Sequence, residues 1–353
     1  MTNSQKQLLI STTASDTLSQ PTRQEKQMTQ LTIKSRRNAY SIVGEQVSAT
    51  SAKDAATQAG LDWHVSLADV YASAVSDTGV SQLEVPNTFA TIRTNKDNSQ
   101  SVLGTVGGRY KVFQNAEMFS ALDALVDSGD ARYAYAGEVK GGAQVYMVLE
   151  LPKGVKIGND EHIAYLVART SHDGSTALQI APSVTRLRCT NQIAGIFSKS
   201  ATYTLKHTTN AEFKIEDIKK IIPVTYTGIE FYETVGNKLI NEKLTDTEVD
   251  NIFKKMWSLP SIVEEAPYAM LTTGQKRQYN SAMLARESAK GIYKGVTGTQ
   301  EELYGTAYGA FQAIVEYADH FSHKSEDTRA ERIINGSADR IKSKALALLT
   351  KGI

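Results

Sequence analysis

The sequence predicts an α+β protein in which an antiparallel sheet with one packed helix precedes a helical region. Short β-prone runs, separated by Gly, Asn and Asp, occupy residues 61–210, whereas apolar residues beyond this point recur at helical spacing. The 353 residues are 41% hydrophobic and 22% charged, which is typical of a globular chain with a large core. We therefore predict a polar arm (1–60), a β-rich core (61–210) and a helical region (211–353) packed on that core.

The arm is rich in Ser, Thr, Gln and Ala and has no sustained apolar period. This composition predicts a mobile segment with a short helix over residues 51–60. Five cations make the arm mildly basic: Arg23, Lys26, Lys34, Arg36 and Arg37. Two interpretations stay open, a solvated tail or an arm that touches DNA or a neighbouring subunit.

The β-rich core follows from alternation and turn residues. The predicted strands cover residues 88–93, 102–106, 110–113, 133–139, 144–151, 162–170, 177–180, 184–188 and 202–207. Asn115 is the expected N-cap of a helix that ends at Gly129. Because short turns connect sequential strands, including Gly141-Gly142 in one hairpin, we expect the sheet to be antiparallel.

The helical region shows apolar stripes at helical spacing. The first helix is expected within residues 212–244, interrupted at Pro223, and the last over residues 338–350. Capping boxes at residues 245–248 and 299–302 predict two further helix starts. These stripes indicate core packing and need no cofactor.

Cysteine content and hydropathy bear on the compartment. A single thiol, Cys189, excludes an intramolecular disulfide and a Cys-rich zinc site. No run of about 18 apolar residues exists to form a transmembrane helix, and the apolar run at 8–10 is too short for a signal-peptide core. We expect a cytoplasmic protein without membrane contact.

Catalytic motifs are missing from the sequence. The Gly-rich stretch 104–109 has no Lys-Ser/Thr and does not open a helix, so it predicts a turn and not a phosphate-binding loop. Cys189 has no neighbouring base and is expected to be a buried, inert thiol. We predict no catalytic residues and no cofactor.

The histidines do not indicate a metal site. His320 and His323 have i, i+3 spacing beside Asp319, but no third ligand accompanies them. His172 and Asp173 belong to a predicted turn, where we expect the imidazole to be exposed.

The charge pattern favours nucleic-acid binding. No acidic residue lies between Asp173 and Glu212. In the strand predicted at 184–188, Arg186 and Arg188 would share one face opposite Leu187, which suits a phosphate backbone. The predicted nucleic-acid-binding residues, which include Tyr110 and Tyr203 as base-stacking candidates, are Arg109, Tyr110, Lys111, Arg186, Arg188, Lys199, Tyr203, Lys206 and His207. Arg93 would extend this stripe. The alternative is that these cations pair with acids elsewhere, because the net charge is only +1.

Seven short segments occur in the order of a known family: 103–115, 136–138, 171–175, 184–192, 206–208, 305–308 and 316–320. From about residue 61 the chain resembles the phage/plasmid-related family called domain of unknown function 932. It departs from the family at Leu187, where Val is usual, and at Thr190, where Gln is common. The resemblance implies a mobile-element protein. The element order over 110–125 is also similar to Rad52-like annealing proteins, whose rings hold single-stranded DNA in a basic groove.

Our first hypothesis is a protein that binds or anneals single-stranded DNA, self-associates and needs no cofactor. The alternative is a non-enzymatic interaction protein, an inhibitor or adaptor of a host enzyme that docks through its helical half. A metal-dependent nuclease with scattered acidic ligands is a third hypothesis, which no spacing supports.

Overall fold

The computed structural model describes residues 37–193, 202–207, 220–300 and 302–351. Two antiparallel sheets and a helical C-terminal region confirm the predicted α+β class. The strands are β1 (Gly44–Gln46), β2 (His64–Ser76), β3 (Gly79–Thr94), β4 (Gln100–Gly107), β5 (Arg132–Val139), β6 (Gln144–Glu150), β7 (Val155–Ile157), β8 (Asp160–Ser171), β9 (Leu178–Arg186), β10 (Gln192–Ile193) and β11 (Tyr203–Leu205).

The larger sheet has eight strands in the order β1-β5-β6-β8-β9-β10, with β7 paired to β8 and β11 paired to β9. The smaller sheet is the meander β2-β3-β4. The helices are α1 (Ala52–Gln58), α2 (Asn115–Phe119), α3 (Asp123–Asp127), α4 (Ile221–Asn241), α5 (Asp246–Met256), α6 (Ser261–Glu264), α7 (Thr273–Tyr293), α8 (Ala307–Glu316), α9 (Glu326–Ile334) and α10 (Asp339–Leu349). None of the helices in these described ranges is long and apolar enough to cross a membrane.

Both faces of the larger sheet are buried. Successive side chains of a strand point to opposite faces, so Val145 and Met147 of β6 join the main core, whereas Tyr146 and Val148 join a smaller one. Helices α4, α7 and α8 contribute to the main core, and α9 covers the opposite face. A side chain on the middle strands is therefore covered whichever face it occupies.

Residues 37–60 are part of the packed fold. β1 pairs with β5, with Gly44 opposite Gly137, and the predicted short helix is confirmed as α1. Ala52, Ala55 and Ala56 are buried, because their small side chains let α1 lie directly on its neighbours. The prediction of a mobile arm is therefore wrong for this part of the chain. Residues 1–36 lie outside the described residues.

Several local predictions need correction. Residues 110–113 are not a strand, because the chain crosses there from β4 to α2. The N-cap of α2 is Gln114, not Asn115, whose amide is buried. The capping box at Thr245 and Glu248 is confirmed. The box predicted at 299–302 opens no helix: α8 starts at Ala307 with Thr306 as its N-cap. Pro223 lies in the first turn of α4, where its missing N–H costs no helical hydrogen bond.

Candidate functional site

Arg186 is the central cation of a buried polar network, not an exposed DNA contact. Its side chain is 1% exposed, and its Nε donates to Asp160 Oδ2 at 2.6 Å. Its Nη2 donates to the carbonyl oxygen of Thr299 at 2.9 Å. Arg186 shares the face of β9 that carries Val184, and the helical region covers this face. The prediction of an open basic sheet face is therefore wrong.

Tyrosine and histidine side chains extend this network between the sheet and α8. Tyr308 donates its hydroxyl to Asp160 Oδ2 at 3.0 Å and also lies 3.2 Å from His162 Nε2. Gln312 donates to the hydroxyls of Tyr308 and Tyr232. Burial, reinforced by the charge of Arg186 and opposed by Asp160, lowers the pKa of His162 to about 4. The imidazole is therefore neutral at neutral pH.

A second buried ion pair ties the C-terminal helix to the sheet edge. Lys342 Nζ lies 2.7 Å from Asp319 Oδ1, and both side chains are almost completely buried. Asp319 Oδ2 accepts from the backbone N–H of Gln192 at 2.9 Å. Asp319 and Gln192 are more than 120 positions apart in the sequence. The ion pair therefore has an architectural role.

Cys189 lies inside the network around Arg186. Its thiol is fully buried, as predicted, although it belongs to a turn after β9 and not to a strand. Burial raises the pKa of this thiol to about 12. The thiol is consequently protonated and a poor nucleophile at neutral pH.

Arg188 lies beyond the end of β9 at the rim of a small cleft. Its side chain is exposed and lies 3.4 Å from Glu302. The cleft has a volume of about 170 Å³, and its walls include Asp160, Arg186 and Thr299. Arg186 and Arg188 thus differ completely in environment and do not share a strand face.

A different group of predicted residues does come together, where β4 and β11 meet the 171–175 turn. The rings of Tyr110 and His207 stack with centroids 5.1 Å apart and an interplanar angle of 2°. The Tyr110 hydroxyl donates to the carbonyl oxygen of Ser171, and His207 Nε2 lies 2.7 Å from Thr170 Oγ1. The stack holds residues 109–111 against the end of β11, although the two segments are far apart in sequence.

Exposed cations are adjacent in the chain to the stacked residues: Arg109 and Lys111 flank Tyr110, and Lys206 precedes His207. Together with the exposed Lys140 we call this group the basic corner: Arg109, Lys111, Lys140 and Lys206. Lys111 Nζ lies 4.8 Å above the Phe113 ring, and the backbone N–H of Lys111 donates to the His207 carbonyl. Lys140 acts electrostatically on Asp173, the carboxylate that borders the corner. None of the four cations has an ion-pair partner among the described residues.

The aromatic side chains of this region are less accessible than predicted. His207 is buried, and burial lowers its pKa. Tyr110 is half-buried, and burial, with the nearby charge of Asp173, raises the pKa of its hydroxyl. Tyr203 is half-buried against the main core. Lys199 lies outside the described residues.

Arg93, predicted to extend the basic stripe, is occupied elsewhere. It forms an ion pair with Glu138 at 2.8 Å and lies 4.5 Å over the Trp63 ring. His172, predicted to be exposed, is fully buried, with its Nε2 2.8 Å from Asn115 Oδ1. Burial, reinforced by His207, lowers the pKa of His172 to about 4.

The Gly-rich stretch 104–109 finishes β4 and turns, and no helix follows it directly. A Cβ at Gly104 would lie 2.5 Å from the Cβ of Asp173, so glycine is needed for close packing. Within the described ranges, no group of three or more His, Cys, Asp or Glu side chains could hold a metal ion. His320 is half-buried, and His323 Nε2 lies 2.9 Å from the Asp319 carbonyl.

Sequence reasoning missed two features of the site. Asp160 and His162 belong to the network, yet neither stands in a motif. Lys140 belongs to the basic corner and could have been found from its position in the hairpin turn that precedes β6.

The architecture is that of an α+β protein whose sheet and helical region share one core. Residues 102–344, well over half of the chain, match the family described as "Domain of unknown function (DUF932)". The chain belongs to this family. No curated protein and no solved structure gives a significant match.

Proposed function

We propose that this protein binds single-stranded DNA at the basic corner and does so without catalysis. The observation that supports the proposal is that the Tyr110–His207 stack brings the segment with Arg109 and Lys111 to the segment with Lys206, while Lys140 acts on the nearby Asp173. Cations that form no ion pair with a carboxylate of the described residues can contact phosphates directly, whereas a cation already in an ion pair would first have to lose that partner.

This proposal moves the interface away from the sheet face. Arg186 is buried in an ion pair and Arg188 is beside Glu302, so neither contributes to it. Of the nucleic-acid-binding residues predicted from the sequence, the interface retains Arg109, Lys111 and Lys206, and Lys140 is added to them. Because Tyr110 and His207 already stack on each other, most of the affinity should come from phosphate contacts. We therefore expect little sequence preference.

Phosphate binding by this corner has a measurable signature. Each neutralised phosphate of a single strand releases condensed counterions, with a slope of about −0.7 per contact in log affinity against log salt concentration. Three or four contacts therefore predict a slope of roughly −2 to −3. No cofactor is required, because screening of charge repulsion between strands is sufficient to assist annealing.

In the cell, such a protein would protect or anneal single strands during replication of a phage or plasmid, in the cytoplasm. This biological setting rests on the resemblance of the sequence to phage/plasmid-related proteins. The alternative function, an inhibitor or adaptor of a host enzyme, predicts no salt-sensitive affinity for DNA.

The test is fluorescence anisotropy of a labelled single-stranded oligonucleotide at low and physiological salt, with and without Mg²⁺. We expect salt-sensitive binding without cleavage, and loss of binding in the triple variant Arg109→Glu/Lys111→Glu/Lys206→Glu. Lys254→Glu, an exposed cation at the end of α5, is the matched control and should bind normally. Absence of binding at low salt would refute the proposal and favour the interaction protein. Mg²⁺-dependent cleavage would instead support the nuclease.

A further inference from the structure

The hairpin of β2 and β3 extends well beyond the smaller sheet. β4 accompanies β3 only as far as the pair Thr88 and Gly107, so residues 71–84 form a two-stranded ribbon, which we call the β arm. Its strand from Tyr71 to Ser76 is about 20 Å long at about 3.3 Å per residue. An isolated two-stranded hairpin is only marginally stable in water. The β arm therefore has the form of an element that gains stability from a binding partner.

The β arm exposes large apolar side chains. Val75 and Val80 are cross-strand partners and are 83% and 67% exposed. Tyr71, two pleats from Val75 along the same strand, lies on the same face and is 55% exposed. Leu83 on the other face is also exposed. The polar pair Ser73 and Gln82 separates Tyr71 from Val75 on this face, so the exposed apolar side chains lie at the tip and at the base of the arm. Several large apolar side chains exposed on one short ribbon are typical of an interaction surface.

The charge of the β arm restricts its partner. Asp77 and Glu84 lie in the arm and Asp69 at its base, and no Lys or Arg occurs from residue 65 to residue 92. An acidic ribbon repels nucleic acid and also repels a second arm brought alongside it. Because the whole chain has a formal charge of +1, the remainder of the chain is net positive. A complementary surface on a second copy must therefore lie away from the arm and carry exposed cations.

The connection between α5 and α7 has the required properties. Ile262 and Met270 are 72% and 79% exposed, and Tyr268 is about half exposed. Lys276 Nζ lies 5.6 Å over the Tyr268 ring, and Arg277 is exposed without an ion-pair partner among the described residues.

The connection and the adjoining part of α7 together carry a small net positive charge. Glu264 is neutralised by Arg286 at 2.7 Å, and Glu265 is exposed beside it. Arg286, Lys276 and Arg277 are three cations against the two carboxylates Glu264 and Glu265. The connection thus presents exposed apolar side chains in a basic setting, the complement of the β arm.

We propose that the β arm of one copy docks on the α5–α7 connection of a second copy. The two contacting surfaces are different, so the contact is heterologous and each copy keeps one free arm and one free connection. Such contacts propagate into a closed ring or an open helical array, not into a two-fold dimer. This inference concerns self-association and does not depend on DNA binding.

Disulfide trapping tests the predicted pairing in the full-length chain. Val80→Cys and Met270→Cys introduce one exposed thiol each, and the native Cys189 is buried. When the two variants are mixed and mildly oxidised, we expect a covalent dimer in which mass spectrometry identifies a disulfide between position 80 of one copy and position 270 of the other. Val296→Cys, beyond the far end of α7, is the matched control for random collision. A predominant covalent homodimer of the Val80→Cys variant, or no product above this control, would overturn the proposal.

The mass of the assembly gives an independent readout. We expect wild type to form species larger than a dimer by light scattering. A shortened arm, in which Asn-Gly replaces residues 71–84, should be monomeric with an unchanged melting temperature. Glu84→Arg should weaken assembly, and adding Arg277→Glu should restore it. An assembly mass that does not change when the arm is shortened would contradict the proposal.

Discussion

The buried network and the basic corner each contain one cation from the acid-free stretch between Asp173 and Glu212, Arg186 in the network and Lys206 in the corner, yet these two cations lie in opposite environments. In the network, Arg186 has Asp160 and the Thr299 carbonyl as partners and is shielded from solvent. In the corner, Lys206 is exposed and directly precedes His207 of the stacked aromatic pair. The first region holds the sheet and helices together, and the second is available to a ligand. Charge content alone does not distinguish a binding surface from a core.

The largest expected effect comes from Arg186→Met. Removing one partner of a buried ion pair leaves Asp160 charged and desolvated, which costs about 3–5 kcal/mol in the free energy of unfolding. Urea denaturation measures this loss. Arg188→Met is the matched control two residues away, and its exposed contact with Glu302 should contribute no more than about 1 kcal/mol. Similar losses for the two variants would contradict the distinction between network and surface.

The pH dependence of stability tests two buried histidines, His162 in the network and His172 beside Asn115. The pKa values of His162 and His172 are about 4 in the folded protein, below the ordinary value of 6.5. Between pH 6.5 and pH 4 the unfolded chain binds more protons, so stability is full above pH 6.5 and falls as the pH decreases toward 4. A shift of this size corresponds to roughly 3 kcal/mol for each histidine.

Melting temperatures measured from about pH 7 to about pH 4 check this expectation. His172→Gln retains a donor for Asn115 and should make the profile shallower, whereas His64→Gln, at an exposed position, should leave it unchanged. An identical profile for wild type and His172→Gln would show that this imidazole does not govern the acid sensitivity.

Single charge reversals in the corner should have the smallest effect. Lys111→Glu and Lys206→Glu each remove one phosphate contact and add a repulsion, which we expect to weaken DNA binding roughly tenfold, or about 1.4 kcal/mol. Anisotropy titrations at low salt measure the change, and urea denaturation should show stability within about 0.5 kcal/mol of wild type. An effect no larger than that of Lys254→Glu would place the binding surface elsewhere.

Local pattern predicted most of the fold, because alternation and capping act over a few residues. The hairpin around Gly141 and the capping box of Thr245 and Glu248 are examples. The burial of Arg186 could not be predicted in this way, because it depends on Thr299, 113 residues away, and on the cover that the helical region gives to β9.

The site was predicted only in part for the same reason. Arg109, Lys111 and Lys206 were each named from charge, but their proximity depends on the long-range contact between Tyr110 and His207. The β arm was missed although a turn signal was present: Asp77 and Gly79 are turn-favouring residues between the β-branched Val75 and Val80. Its exposed faces do not show the apolar and polar alternation of a half-buried strand.

The most direct test of the comparison is the salt dependence of single-stranded DNA affinity for wild type and for the triple variant Arg109→Glu/Lys111→Glu/Lys206→Glu. We predict a slope of roughly −2 to −3 in log affinity against log salt for wild type, and a slope near zero with little affinity for the variant. A variant that stays folded and retains the wild-type slope would contradict the assignment of the basic corner as the DNA interface.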